Sequence, residues 1–196
     1  MLRLIDVYKK FDHWVLKGVA LEVRGKALVY GHNGSGKTTL VKIAAGLLEP
    51  TKGRVERGGK LGVSLQYPLL HPDLTVDENL SFFAKAVGAE HSHIVEELGL
   101  RGYLHVRFAH LSYGWRKRAD LARAMLGNPD VLILDEPLLG LDPSAREVVI
   151  DVVNRHRGPA LITASTPCDY LAVKFDEYYY IHDGRLIQQR PQCSSS

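Results

Sequence analysis

Residues 31–39, GHNGSGKTT, constrain this chain most, because they join a buried-strand pattern directly to a helical one. Ala27, Leu28, Val29 and Tyr30 form a short continuous apolar run, as in a strand covered on both faces. Leu40, Val41, Ile43, Ala44, Leu47 and Leu48 then fall at helical spacing, until Pro50 and Gly53 close the segment. Gly31, Gly36, Lys37 and Thr38 fit G-x-x-x-x-G-K-[ST] in the strand–loop–helix setting that gives this motif its meaning. Glycines let backbone N–H groups curl around phosphate oxygens, and the helix start adds its positive dipole end. Gly31, His32, Asn33, Gly34, Ser35, Gly36, Lys37, Thr38 and Thr39 are thus the expected phosphate cradle. Lys37 reaches the terminal phosphates and Thr38 offers a hydroxyl to magnesium. The plainer reading is a glycine-rich turn that caps a helix, with Lys37 in solvent.

A second apolar run, Val131, Leu132, Ile133 and Leu134, leads into Asp135 and Glu136. In an open parallel sheet, ligands bind beyond the C-terminal ends of the strands, where these carboxylates fall. Triphosphate chemistry needs a metal carboxylate and a group that orients water, so Asp135 is expected toward magnesium and Glu136 toward the attacking water. A turn cap ahead of Pro137 is the alternative use of the same pair.

The remaining patterns order the fold. Leu2, Leu4 and Val7, then Val15, Val19, Leu21 and Val23, suggest an antiparallel N-terminal sheet. Strands are also expected at 61–65 and 160–164, a hairpin through 178–188, and helices at 113–126 and 146–157. From Val76 to Leu111 the apolar spacing is helical throughout, which marks an inserted lobe. The fold class is therefore α/β: a P-loop NTPase core with a mainly parallel sheet, an N-terminal antiparallel β subdomain and a small helical lobe over approximately 70–128. One domain spans 1–196, ending in a polar, flexible tail at 192–196.

Composition narrows the partners. The net charge is +3, from 25 basic and 22 acidic residues, too mild and too evenly spread for nucleic acid. No apolar run approaches the roughly 18 residues of a membrane span, and the start MLRLIDVYKK does not read as a signal peptide. The two cysteines, Cys168 and Cys193, are expected to be inert thiols in a reducing compartment, too few and too near the C-terminus to staple the fold. The nine histidines show no metal-ligand pattern.

Further elements stand in a fixed order, and together they resemble the ATP-binding subunit of ABC transporters over essentially the whole chain. Gln66 in SLQYP looks like the glutamine that touches magnesium and senses the membrane subunit in that family. Leu111–Trp115, LSYGW, resembles the signature motif, with Ser112 and Gly114 retained, Tyr113 in place of a glycine and Trp115 in place of the glutamine. Ser112 also reads as a plain helix N-cap. Leu139, Gly140, Leu141 and Asp142 resemble the D-loop, and Asp142 also suits an N-cap before Pro143. Thr166 stands where the family carries its switch histidine, which implies slower hydrolysis. Phe11 aligns with the aromatic that stacks on adenine, with an ordinary core phenylalanine as the competing reading.

The resemblance implies ATP and Mg2+ as cofactors, with Lys37, Glu136, Gln66 and Thr166 catalytic and Thr38, Gln66 and Asp135 around the metal. Phe11, the cradle, Ser112, Gly114 and Asp142 would bind nucleotide. It also implies a homodimer or heterodimer of ATPase subunits with two nucleotides sandwiched between them, and a membrane permease as partner. The expected place is cytoplasmic, attached peripherally to the inner face of the cell membrane. Two other functions fit the same motifs: a soluble ABC ATPase of a cytosolic assembly complex, and a weakly hydrolysing ATP-dependent regulatory module.

Overall fold

The computed structural model describes residues 1–193. A six-stranded sheet organises the chain. Its strands are β3 (Lys26–Tyr30), β5 (Leu61–Ser64), β6 (Val131–Asp135), β7 (Ala160–Ala164), β8 (Glu177–His182) and β9 (Arg185–Gln188). They lie in the order β5-β6-β7-β3-β8-β9; the first five run parallel, and β9 returns antiparallel through a hairpin. A second, three-stranded antiparallel sheet is ordered β2-β1-β4, from β1 (Leu2–Lys10), β2 (Trp14–Val23) and β4 (Lys52–Arg57). This is the α/β, P-loop type of architecture that the sequence predicts.

Every residue of β6 and β7 is buried, which accounts for their unbroken apolar runs. Period-2 alternation divides their side chains between two cores. Val29, Ile133 and Leu161 face α1 (Lys37–Ala44) and the antiparallel sheet. Leu28, Leu132, Leu134 and Ile162 face the other layer. There α2 (Val76–Val87), α4 (Tyr113–Met125) and α5 (Pro143–Arg155) cover the sheet, with the short α3 (Ser92–Glu97) beside them.

The continuous helical pattern over 76–111 does not hold. Helix α2 starts at a complete capping box, Thr75 with Glu78, and ends at Gly88 in the left-handed region (φ 65°). Gly99 (φ 67°) closes α3 in the same way, and only 3-10 turns follow before Ser112. Apolar spacing reports which face is buried; the glycines decide where each helix stops. Strand β4, too polar to stand out in the sequence, exists because β1 supplies a pairing edge for it.

The cysteine expectation is overturned. Cys168 and Cys193 form a disulfide across 25 residues. The β8–β9 hairpin brings the chain end back beside the 3-10 turn Pro167–Tyr170, a proximity that linear position does not reveal. Of the tail, 194–196 lie outside the described residues. Closing a loop of this length restricts the unfolded chain by roughly 3.5 kcal/mol in the chain-entropy account. Reduction with a dithiol should therefore lower the melting temperature by roughly 10 °C. A reduced sample that melts with the oxidised one would show that the bond contributes nothing.

Candidate functional site

The strand order sets the site. The C-terminal ends of β5, β6, β7 and β3 are neighbours along one sheet edge, and each delivers a different piece of chemistry. Gln66 follows β5, Asp135 and Glu136 end β6, Ser165 and Thr166 follow β7, and the glycine-rich loop follows β3. A cavity of about 660 Å³ opens there, lined by Asn33, Gly34, Gly36, Lys37, Thr38, Thr39, Gln66, Glu136, Ser165 and Thr166, with Val15 and Leu139 as its apolar members.

Two glycines of the loop are sterically required. At Gly36, φ is 106° where helix α1 begins, and an added Cβ would press on Leu16 and Val15. At Gly31 a Cβ would lie 2.6 Å from the Ile181 carbonyl oxygen. Helix α1 thus starts with its N–H groups toward the cavity, a built-in anion site.

Lys37 is not in solvent. It is 5% exposed, and its ammonium donates to the carbonyl oxygens of Gly31 (2.8 Å) and His32 (3.0 Å) and pairs with Glu136 Oε1 at 3.2 Å. Glu136 reaches that position through a left-handed backbone (φ 49°), a conformation costing of order 1–3 kcal/mol for a non-glycine residue. That twist turns its carboxylate out of line with the strand and into the cavity. Ser165 holds the same group: its N–H donates to Oε2 (3.2 Å) and its hydroxyl lies 2.5 Å from Oε1.

Asp135 is 1% exposed. Its Oδ1 accepts from the Thr163 hydroxyl at 2.6 Å, and the Thr163 oxygen in turn accepts the Glu136 N–H at 3.1 Å. Its Oδ2 is buried with no hydrogen-bond partner among the described residues. A carboxyl oxygen buried without a partner is costly, and a magnesium ion with its waters is the partner that would relieve it. Thr38 and Gln66 offer further oxygens from the cavity wall, so the donor set fits magnesium.

Gln66 is anchored from outside the cavity. Lys117 of α4, 3% exposed, donates to the Leu65 carbonyl at 3.1 Å; burial pushes its ammonium pKa down, against the pull of Asp120, Asp135 and Glu136. Asp120, fully buried, accepts from Ser64 Oγ, from Leu69 N–H at 3.1 Å and from Arg123 at 2.9 Å. Helix α4 therefore grips both flanks of the Gln66 segment.

Several expected site residues stand apart from this cavity. His32 contributes its carbonyl to Lys37, while its ring meets the Tyr180 hydroxyl at 3.1 Å. Phe11 is 53% exposed at the turn between β1 and β2, under the Lys9 ammonium, so it is not a core residue. Ser112 occupies the N-cap position of α4, but its hydroxyl makes no capping bond. Tyr113 lies against Gly140, where an added Cβ would meet its ring at 3.0 Å, and Trp115 stacks on Tyr103 (3.9 Å between centroids). Asp142 caps α5, accepting from Ala145 N–H (2.9 Å) and Ser144 Oγ (2.8 Å), and the Ala145 bond leads in lowering its pKa.

The family profile described as ABC transporter matches residues 16–139. The chain belongs to the ABC transporter family. This ABC chain is 37% identical over 193 residues to the aliphatic sulfonates import ATP-binding protein SsuB 2 of Burkholderia lata, covering 90% of itself and 68% of that protein. It is 32% identical over 208 residues to Nod factor export ATP-binding protein I of the same species, covering 94% and 68%. A solved ATP-binding subunit of an ABC transporter superposes with a TM-score of 0.87 at 25% identity, covering 96% of this chain and 89% of that one. The chain is thus an ABC-type ATPase subunit, and among its described residues no helix is long and apolar enough to cross a membrane.

Sequence reasoning missed Thr163 and Leu139. Thr163 hides within the apolar β7 and is 0% exposed, and its one signal is a hydroxyl in a run that otherwise carries none. Leu139 looked like part of a loop motif alone and also lines the cavity.

Proposed function

We propose that this subunit binds MgATP in the cradle 31–39, hydrolyses it with Glu136 orienting the attacking water, and so drives a membrane permease. The observation that carries the reading is the buried pair of Lys37 and Glu136 facing one cavity, with the buried Asp135 next to Glu136 in the chain. Lys37 exchanges its carbonyl and carboxylate partners for the terminal phosphates, and Glu136 then holds the water. Magnesium would be held by Thr38, Gln66 and Asp135 Oδ2, and when bound it neutralises charge developing on the phosphates. Thr166 lines the cavity without an imidazole, which supports slow turnover.

Ser112, Gly114 and Asp142 lie outside the cavity, and the Ser112 hydroxyl makes no capping bond, consistent with their serving the nucleotide of a second cassette in a homodimer or heterodimer. Phe11, exposed at the turn between β1 and β2, would stack on adenine. The site of action is the inner face of the cell membrane, reached through the permease. Capture by the tagged Glu136→Gln variant with MgATP, from detergent-solubilised membranes, is expected to recover a polytopic membrane protein. Recovery of a soluble scaffold instead would replace transport with an assembly function.

A further inference from the structure

Three groups hold the Glu136 carboxylate, and they do not all survive nucleotide binding. Lys37 pairs with Oε1 but has to leave for a phosphate under the proposed function, on which this inference rests. The other two bonds come from one residue, Ser165, whose N–H reaches Oε2 and whose hydroxyl reaches Oε1. The same hydroxyl lies 2.8 Å from the Asn33 side chain in the phosphate loop. A serine hydroxyl has a single proton to give. Glu136 is the stronger acceptor, because a bond to an ionised carboxylate is charge-assisted. With the Asn33 amide turned so that its Nδ2 faces Ser165, each group gains a complementary partner: Asn33 donates to Ser165, and Ser165 donates to Glu136.

We infer that Ser165 is a positioning residue for hydrolysis, holding both oxygens of Glu136 as Lys37 departs and linking the carboxylate to the phosphate loop through Asn33. Ser165 follows directly on β7, which is buried along its whole length, so the start of its backbone is fixed by a packed strand. Thr166, one residue on, is exposed at the cavity wall and makes no hydrogen bond to Glu136. The side chain at the family's histidine position is therefore not the one that grips the carboxylate here.

The test compares kcat and KM for ATP in wild type, Ser165→Ala and Ser165→Thr, and repeats Ser165→Ala in the Glu136→Gln background. Removing one charge-assisted bond should lower kcat by about 10-fold. KM should stay within about twofold, because the bond serves a water-orienting group rather than nucleotide binding. Threonine keeps the hydroxyl and should restore most of the rate. In the Glu136→Gln background the alanine substitution should cost little more, because two residues acting as a unit are not additive. An unchanged kcat in Ser165→Ala, a matching rise in KM, or a full additional loss without Glu136 would each overturn the role while leaving ATP hydrolysis standing. A wild type that binds ATP and releases no phosphate would sink the hydrolysis itself, and this role with it.

Discussion

Replacing Glu136 by Gln should lower ATP turnover by roughly 10²-fold or more while leaving nucleotide affinity nearly unchanged. Glutamine keeps the shape and can still accept the Ser165 N–H bond that now goes to Oε2, so the cavity and the left-handed turn at 136 should survive. What is lost is the negative charge that, in the proposed function, orients and deprotonates water. The resting pair with Lys37 disappears as well, which frees the ammonium for phosphate and should favour binding slightly. Steady-state phosphate release alongside equilibrium ATP titration separates the two effects. Turnover retained in the variant would remove Glu136 from the chemistry, and affinity lost in parallel would assign it to binding instead.

Lys37→Ala should instead lose both, with weaker ATP binding and a turnover loss on the order of 10²–10³ at fixed substrate. The ammonium donates to the Gly31 and His32 carbonyls and pairs with Glu136. Alanine therefore removes the phosphate ligand and also leaves two loop carbonyls and a nearly buried carboxylate short of a partner. Glu136 keeps Ser165, so the fold should hold with a lowered melting temperature. ATP should accordingly raise the melting temperature of the wild type and much less that of Lys37→Ala. Equal affinity in the two proteins would refute the assignment of Lys37 to the phosphates.

The strands and the phosphate loop were legible because they rest on local rules. The apolar run of β3, which stops at Gly31, is buried from Ala27 to Tyr30, and Gly36 is needed where α1 starts. The lobe was legible as helical but not as broken, since periodicity is blind to where Gly88 and Gly99 end each helix. Strand β4 and the Cys168–Cys193 bond are products of tertiary proximity, and no pattern local to Lys52–Arg57 or to the tail announces them. Within the site, residue types showed that carboxylates and a lysine would meet. They did not show that Ser165 rather than Thr166 would touch Glu136, because that choice depends on where β7 ends relative to the twist at 136. The signature substitutions became intelligible only in space: Tyr113 fits against Gly140, and Trp115 finds Tyr103 and the Arg118 guanidinium, 4.5 Å from its ring.

Inorganic phosphate release from ATP by the purified wild-type chain with magnesium tests the central claim most directly. The account predicts slow, saturable release that depends on magnesium and vanishes in Glu136→Gln. Firm ATP binding with no release above the buffer rate would contradict it, and would make the cavity a nucleotide sensor rather than an engine.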